Sequence, residues 1–194
     1  MKFFKRFFLL SFLFVMVFNL IGCTEGNKDL LSNKYTIGQE ISFGEEKFNI
    51  YKIDDKKEEL YLLAQHEIAT TVFSSSSHKG ADYNRYAGSI VESYVDEYVN
   101  SLETQGVEIK SSGIIDIDDL YDLGFERSGY YLNGLPYLNT HEYDFVDYVD
   151  NYWVGGYCKY DTYIWVYFDE KLDNKQYDNE FGVRPVIIID ANTL

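Results

Sequence analysis

The clearest hydrophobic pattern along the chain predicts a helix near its middle. Seven apolar residues recur there at the spacing of one helical face, and they form a single stripe: Ile90, Val91, Tyr94, Val95, Tyr98, Val99 and Leu102. Ser89, three residues before Glu92, makes a capping box, and Gly106 stands where a glycine commonly ends a helix. The stripe is therefore expected to be core.

A shorter helix is predicted over residues 117–123. Asp116 is placed to cap its first turn, and Gly124 is placed to end it. The following span, residues 125–151, is rich in Gly, Tyr and Asp and is expected to be irregular, whereas residues 74–80 have the composition of a surface loop.

Segments before the long helix have the patterns of strands. Residues 35–43, broken at Gly38, and residues 47–53 indicate two strands by alternation and β-propensity. The polar residues 54–57 predict a turn, after which residues 59–72 indicate one or two further strands that continue a meander.

The C-terminal third is again strand-like. Short strands are predicted at residues 152–154 and 162–168, and residues 181–190 end in consecutive apolar positions typical of a buried strand. Pro185 cannot donate a ladder hydrogen bond, so it marks the start of that strand or an edge. Strands, then helices, then strands predict a single α+β domain with antiparallel sheet structure, one long helix and one short helix.

The N-terminus has the pattern of an export signal. Lys2, Lys5 and Arg6 precede an apolar stretch over residues 7–18, which is too short to span a bilayer and has the length of a signal-peptide core. The Leu-Ile-Gly-Cys sequence ending at Cys23 resembles the lipobox of bacterial lipoproteins. Membership of that class implies cleavage before Cys23, diacylglyceryl and palmitoyl chains on this residue, and attachment to the outer face of the cell membrane. An ordinary secretory signal cut elsewhere, or an uncut anchor, is the alternative.

These boundaries divide the chain into three parts. Residues 1–22 are the predicted lipoprotein signal peptide, residues 23–34 the lipidated cysteine with a polar tether, and residues 35–194 the α+β domain.

The net charge and the number of cysteines bear on whether the domain binds nucleic acid and on whether disulfide bonds hold it together. The chain carries a net charge of −15, and three of its 17 Lys and Arg residues lie in the predicted leader, so the domain is disfavoured as a partner of nucleic acid. If Cys23 carries lipid, Cys158 is left without an intramolecular partner. A disulfide scaffold is thereby excluded, and the 19 tyrosines of the chain can supply part of the apolar core.

The C-terminal motif Gly182-Val183-Arg184-Pro185, preceded by Trp153, resembles the ending of a large family of uncharacterised bacterial surface and secreted domains. The same ending is distantly similar to domains of the C-type-lectin-like and formylglycine-generating-enzyme-like fold. The resemblance implies a compact α+β domain that binds something outside the cell, and it transfers no catalytic residue. The arginine that commonly follows the tryptophan is absent here, and Cys158 lacks the second cysteine that the oxidase relatives use.

Aromatic residues around Gly155 and Gly156 form the candidate ligand surface. The set consists of Trp153, Tyr157, Tyr160, Tyr163 and Trp165. Aromatic rings beside such a turn can stack on sugar rings, but they can equally pack a hairpin. Arg184, on the apolar last strand, needs a carboxylate or carbonyl partner if it is buried. We expect it to form a salt bridge that holds the fold, with ligand binding as the alternative.

Metal and catalytic patterns are weak. His66, His78 and His141 lack the spacing of zinc ligands, and serines 74–77 beside His78 do not amount to a catalytic triad. Three acidic clusters could offer oxygens to calcium, but none has the pattern of an EF-hand loop: Asp116, Asp118 and Asp119; Asp144, Asp147 and Asp150; and Asp169, Asp173 and Asp178. We therefore predict no cofactor, with Ca²⁺ as the alternative.

The leading hypothesis is a lipid-anchored extracytoplasmic binding module whose ligand is a carbohydrate or a surface protein. A structural lipoprotein that contacts other proteins is the second hypothesis, and an enzyme, which we do not expect, is the third.

Overall fold

Three of the predicted N-terminal strands form an antiparallel meander. The computed structural model describes residues 30–75, 84–125, 143–156, 158, 162–168 and 171–194. The three strands are β1 (Glu40–Phe43), β2 (Glu46–Asp54) and β3 (Glu59–Ala64). Residues 35–39, predicted as part of the first strand, do not belong to a strand. Gly38 has a φ of +85° and donates its N–H to the Ile50 carbonyl at 2.7 Å, so the chain turns there before β1 begins.

The described strands belong to two sheets. Beyond the meander they are β4 (Ala69–Val72), β5 (Ser111–Ile114), β6 (Asn151–Val154), β7 (Tyr163–Phe168), β8 (Lys171–Gln176), β9 (Glu180–Val183) and β10 (Pro185–Asp190). Sheet A has the order β1-β2-β3-β10-β5 and is antiparallel throughout. Sheet B has the order β4-β9-β6-β7-β8 and is antiparallel except for the parallel pair β6 and β9.

The meander does not continue past β3, so that part of the prediction is wrong. The second edge of β3 pairs with β10, with Val186 opposite Leu63, and β4 instead pairs with β9 in sheet B. A strand rich in apolar residues such as β10 is best placed inside a sheet, where both its faces are covered.

The last predicted strand is two strands that belong to different sheets. The chain leaves β9 of sheet B at Arg184 and enters β10 of sheet A at once. Pro185 is the first residue of β10, as its missing N–H predicts. Strand β8 was not predicted, because its sequence KLDNKQ is almost entirely polar.

The long helix α2 (Ile90–Thr104) has both predicted caps. The Ser89 side chain accepts a hydrogen bond from the Glu92 N–H at 3.0 Å. At the other end Gly106 has a φ of +92°, and the Val107 N–H donates to the Leu102 carbonyl at 3.2 Å. This pattern is a Schellman motif, in which only glycine takes the left-handed conformation at no steric cost. The stripe is largely buried as predicted, although Tyr94 is 40% exposed.

The structure also describes two shorter helices and two 3₁₀ turns. They are α1 (Leu31–Lys34) and α3 (Ile117–Asp122); the turns are Asp144–Tyr148 and Ala191–Thr193. The Asp116 side chain caps α3 by accepting from the Asp118 N–H at 2.9 Å, and Gly124 follows the helix with a φ of +104°. Helix α1 lies in the predicted tether, and the compact unit of the chain begins at Leu31.

Helix α2 covers one side of both sheets, and a separate apolar cluster joins them on the other. Val91 and Val95 pack with buried residues of sheet B, whereas Leu102 packs with sheet A. The joining cluster contains Leu63 and Val186 from sheet A, Tyr152 and Val154 from sheet B, and two residues of α3, Ile117 and Leu120. The fold is thus the predicted α+β domain with one long helix and short ones, built on two sheets.

Candidate functional site

Arg184 is a structural residue at the junction between the two sheets. Its side chain is fully buried. The guanidinium donates to three carbonyl oxygens: to Ala64 at 2.6 Å, to Phe145 at 2.6 Å and to Val146 at 2.7 Å. It also lies over the Tyr152 ring, with 5.1 Å between the guanidinium carbon and the ring centroid. We expected a salt bridge to a carboxylate, but the described bonds of the buried guanidinium go to carbonyl oxygens instead.

The arginine ties three separate segments together. Ala64 ends β3, Phe145 and Val146 belong to the 3₁₀ turn, and Arg184 itself separates β9 from β10. Burial lowers the pKa of Arg184 and raises the pKa of Tyr152 to about 12. All three described bonds of the guanidinium go to the main chain, so it is engaged in structure rather than directed at a ligand site.

Trp153 does not belong to a ligand surface, and this part of the prediction is wrong. The side chain is fully buried, with Phe73 and Phe181 packed edge-on against it at centroid distances of 5.3 and 4.9 Å. Its indole Nε1 donates to the Thr71 carbonyl at 2.9 Å. Trp153 lies opposite Val166 in the sheet, so the two residues share the face that packs against α2.

The Gly155–Gly156 pair is explained by a close approach to α3. Gly155 accepts from the Ile117 N–H at 3.0 Å and donates to the Ile115 carbonyl at 2.8 Å. Gly156 has a φ of +107°, and a Cβ atom there would lie 2.5 Å from Cγ2 of Ile117. Gly156 is therefore required for packing against the start of α3, whereas a Cβ at Gly155 would meet its nearest neighbours at 3.5 Å, an ordinary contact distance.

Tyr163 and Trp165 remain as a candidate surface. They alternate with the buried Ile164 and Val166 along β7, so they project from the opposite face, where both are half-buried and Trp165 packs against the cluster that joins the two sheets. Tyr157 and Tyr160, the other members of the predicted set, lie outside the described residues.

Strand β8 places two amides beside these rings. Gln176 lies directly opposite Tyr163, and Asn174 lies directly opposite Trp165. We call these four residues the β7–β8 face. Asp173 and Lys175 alternate with the amides and project from the other side of β8, where they form an ion pair at 2.6 Å. Sequence reasoning missed both amides because β8 lacks the apolar alternation by which strands are recognised.

A second candidate is an acidic groove of about 470 Å³ beside the connection between β3 and β4. Three of its lining residues are the exposed carboxylates Glu67, Asp150 and Glu180, none of which has a hydrogen bond or ion pair to another described residue. Tyr148 also lines the groove and is 54% exposed. Gly182 leaves room for the Glu67 carboxylate, since a Cβ at this position would collide with it and would lie 2.7 Å from the Asn151 carbonyl oxygen.

Several of the predicted metal and histidine candidates have local partners in the fold. His66 contacts the Glu46 carboxylate at 3.3 Å, and Glu46 also accepts from the Tyr98 hydroxyl at 2.7 Å, whereas His78 and His141 lie outside the described residues. Asp119 pairs with Lys52 at 2.7 Å, and burial raises the pKa of Asp116 at the helix cap. Within the described ranges no three His, Cys, Asp or Glu side chains are grouped to hold a metal ion.

Comparison of the chain with protein-family models, with curated proteins and with solved structures finds no match. In the part of the chain that the structure describes, no helix is long and apolar enough to cross a membrane.

Proposed function

We propose that this chain is an exported bacterial lipoprotein, anchored through lipid on Cys23, whose α+β domain is a binding module on the outer face of the membrane. The anchor is supported by the order of basic, apolar and lipobox-like segments in residues 1–23. The resemblance of the Gly-Val-Arg-Pro ending to bacterial surface domains and to the C-type-lectin-like fold remains part of this proposal.

The observation that carries the binding role is the β7–β8 face. Tyr163 and Trp165 are half-buried and each lies opposite an amide of β8, although Trp165 also packs against the cluster that joins the two sheets. Aromatic residues in such half-buried positions provide contact area at low conformational cost. Arg184 and Asp116 are engaged in the fold, through carbonyl bonds and a helix-capping bond respectively.

The anchor is tested by the intact mass of protein extracted from membranes. We expect a chain that begins at Cys23 and carries acyl chains, and we expect Cys23→Ala to remain at the precursor mass. An unlipidated mature chain, or one cut at another bond, would overturn the anchor without bearing on the domain.

The binding role is tested by screening the detergent-extracted protein against glycans, cell-wall fragments and surface proteins. Trp165→Ala is expected to weaken saturable binding at least tenfold. Tyr94→Ala removes an exposed aromatic from α2 and serves as the matched control. Absence of any ligand, or equal binding by both variants, would refute the β7–β8 face as the site.

A protein partner is the second candidate function, and the acidic groove favours it. Its unpaired carboxylates together with the exposed Tyr148 would suit a basic segment of another surface protein. Replacement of Glu67 and Asp150 by Lys is expected to abolish capture of such a partner, whereas the same change at Glu97, exposed on α2, should leave it intact. Capture unaffected by the groove variant would remove this candidate.

A further inference from the structure

We infer that the outer edge of β1 accepts an extended peptide as an added strand, and that a basic side chain of this peptide enters the groove beside it. The site lies in sheet A and shares no residue with the β7–β8 face or with the acidic groove. It gives the domain a separate binding surface, so the inference goes beyond the proposed function.

The register of β1 against β2 determines which main-chain groups of β1 point outward. Just before β1, the Ile50 N–H donates to the Gln39 carbonyl at 2.9 Å. Hydrogen-bonded and non-bonded pairs alternate along an antiparallel ladder, so Ile41 bonds to β2, whereas Glu40 and Ser42 direct their N–H and C=O groups to the outer edge. Among the described strands, only β2 pairs with β1.

A groove of about 640 Å³ adjoins this edge. Ser42 and Phe43 both line the groove, and because consecutive strand residues point to opposite faces, the groove reaches around the edge of β1. It continues past the end of α2 to Ile189 and Thr193 near the C-terminus. A peptide paired with Ser42 can therefore place side chains in the groove, which is how strand addition commonly achieves specificity.

The groove is suited to a basic side chain. Glu108 lines it, is exposed, and makes no hydrogen bond or ion pair with another described residue. The C-terminal end of α2 opens into the same groove at Gln105 and Gly106, where the helix dipole favours a positive charge. The half-buried Phe43 and Val107 can pack along the methylene stem of a lysine or an arginine.

The charge of the chain distinguishes a basic peptide from a second copy of this protein. Pairing two copies along β1 would bring together two chains with a net charge of −15 each, and their repulsion opposes such a dimer. A peptide that carries Lys or Arg is instead attracted to the domain, and it offers Glu108 a partner. We therefore assign the edge to a basic, extended segment of another protein.

The experiment uses a library of random linear peptides displayed on phage, selected against the full chain purified in detergent. Enriched peptides are synthesised and titrated against four variants. Ser42→Pro removes the outward N–H without removing a bond to β2, and Ser42→Ala is its control because it keeps that N–H. Glu108→Gln removes the charge in the groove, and Glu97→Gln does the same at an exposed position of α2 outside it.

We expect the enriched peptides to contain Lys or Arg and to bind Ser42→Pro at least tenfold more weakly than the parent protein. Glu108→Gln is expected to weaken binding about threefold, and the two control variants are expected to bind like the parent. Amide hydrogen exchange followed by NMR should be fast at Glu40 and Ser42 in the free protein and slow with peptide bound. If circular dichroism shows that Ser42→Pro is unfolded, the exchange rates and Glu108→Gln decide the outcome.

Four results would overturn the inference. Slow exchange at Glu40 and Ser42 without peptide would show that the edge is already covered. Failure to enrich any peptide, or equal binding to the parent and to a folded Ser42→Pro, would exclude strand addition. Peptides without basic residues that are insensitive to Glu108→Gln would exclude the role of the groove. A dimer of the free protein that Ser42→Pro dissociates would identify a second copy as the occupant of the edge.

Discussion

At the residue scale, long-range contacts decide what each side chain does. Trp153 and Trp165 lie 12 positions apart in similar aromatic strands, but one is enclosed against Phe73 and the other is half-buried on the opposite side of sheet B. The requirement for glycine at position 182 also comes from long-range contacts, because the Glu67 side chain and the Asn151 carbonyl occupy the space that a side chain would need. Sequence alone identified Trp153 and Trp165 as candidates but could not assign their faces, since that requires the strand register.

Replacement of Arg184 by Met is expected to lower the free energy of unfolding by about 3–5 kcal/mol, because three buried carbonyls lose their donor at once. Urea denaturation followed by circular dichroism measures the change. Lys47→Met removes an exposed cation paired with Glu40 and should give no measurable loss. A similarly small effect of Arg184→Met would show that the guanidinium bonds do not hold the junction.

Gly182→Ala is expected to destabilise the domain by about 1–3 kcal/mol, since the new Cβ would lie 2.7 Å from the Asn151 carbonyl oxygen, which cannot shift without moving β6. Gly113→Ala is the matched control, because a Cβ on that strand glycine meets nothing within 4 Å. Thermal unfolding of the two variants compares them directly. Equal melting temperatures would contradict the close approach of β6 and β9.

At the element scale, locally encoded signals were the most reliable. Helix α2 begins after Ser89 and ends before Gly106 because the capping bonds involve residues within one helical turn of each end. Strand β8 shows the opposite case. Its polar sequence forms a strand because β7 supplies a ladder of partners from Phe168 to Tyr163, and that contact is not visible in the composition of β8.

Ser89→Ala is expected to cost about 1 kcal/mol of stability, because the Glu92 N–H at the start of α2 loses its acceptor in a poorly solvated position. Ser93→Ala, one turn later on an exposed position, should change stability by less than about 0.5 kcal/mol. Denaturant midpoints of both variants provide the comparison. A larger loss in Ser93→Ala would argue against the cap.

At the scale of the whole molecule, charge governs how stability responds to the medium. The chain has a net charge of −15 and a pI near 4.5, so the negative charges within the folded domain repel one another at neutral pH. Several surface carboxylates nevertheless have local partners that favour their ionised form, as with Asp190 beside the Asn192 N–H and Lys110.

We expect the melting temperature at low ionic strength to rise when salt is added at pH 7 and when pH is lowered from 7 towards about 5, because both changes weaken the repulsion. Below about pH 4.5 the trend should reverse. The pKa values of Glu40, Asp54 and Asp190 are lowered, chiefly by hydrogen bonds from Gln65, from the Lys57 N–H and from the Asn192 N–H respectively. Their contribution is complete above their ordinary pKa values and is lost as pH falls through the lowered ones.

Differential scanning calorimetry across pH 3–8 at two salt concentrations measures this response. Asp116 acts in the other direction, because burial raises its pKa and protonation then favours the folded state. A melting temperature that falls steadily from pH 7 to pH 5, or that falls on addition of salt, would contradict the dominance of net charge.

The sequence by itself determined the α+β class, both principal helices with their caps and the start of β10 at Pro185, because those features depend on residues close together along the chain. Only the tertiary structure decided that the last strand passes from one sheet to the other, that Arg184 bonds to three carbonyls, and that Trp165 rather than Trp153 stays partly exposed. Each of those outcomes depends on which strands pair with each other, and the paired strands are far apart in the sequence.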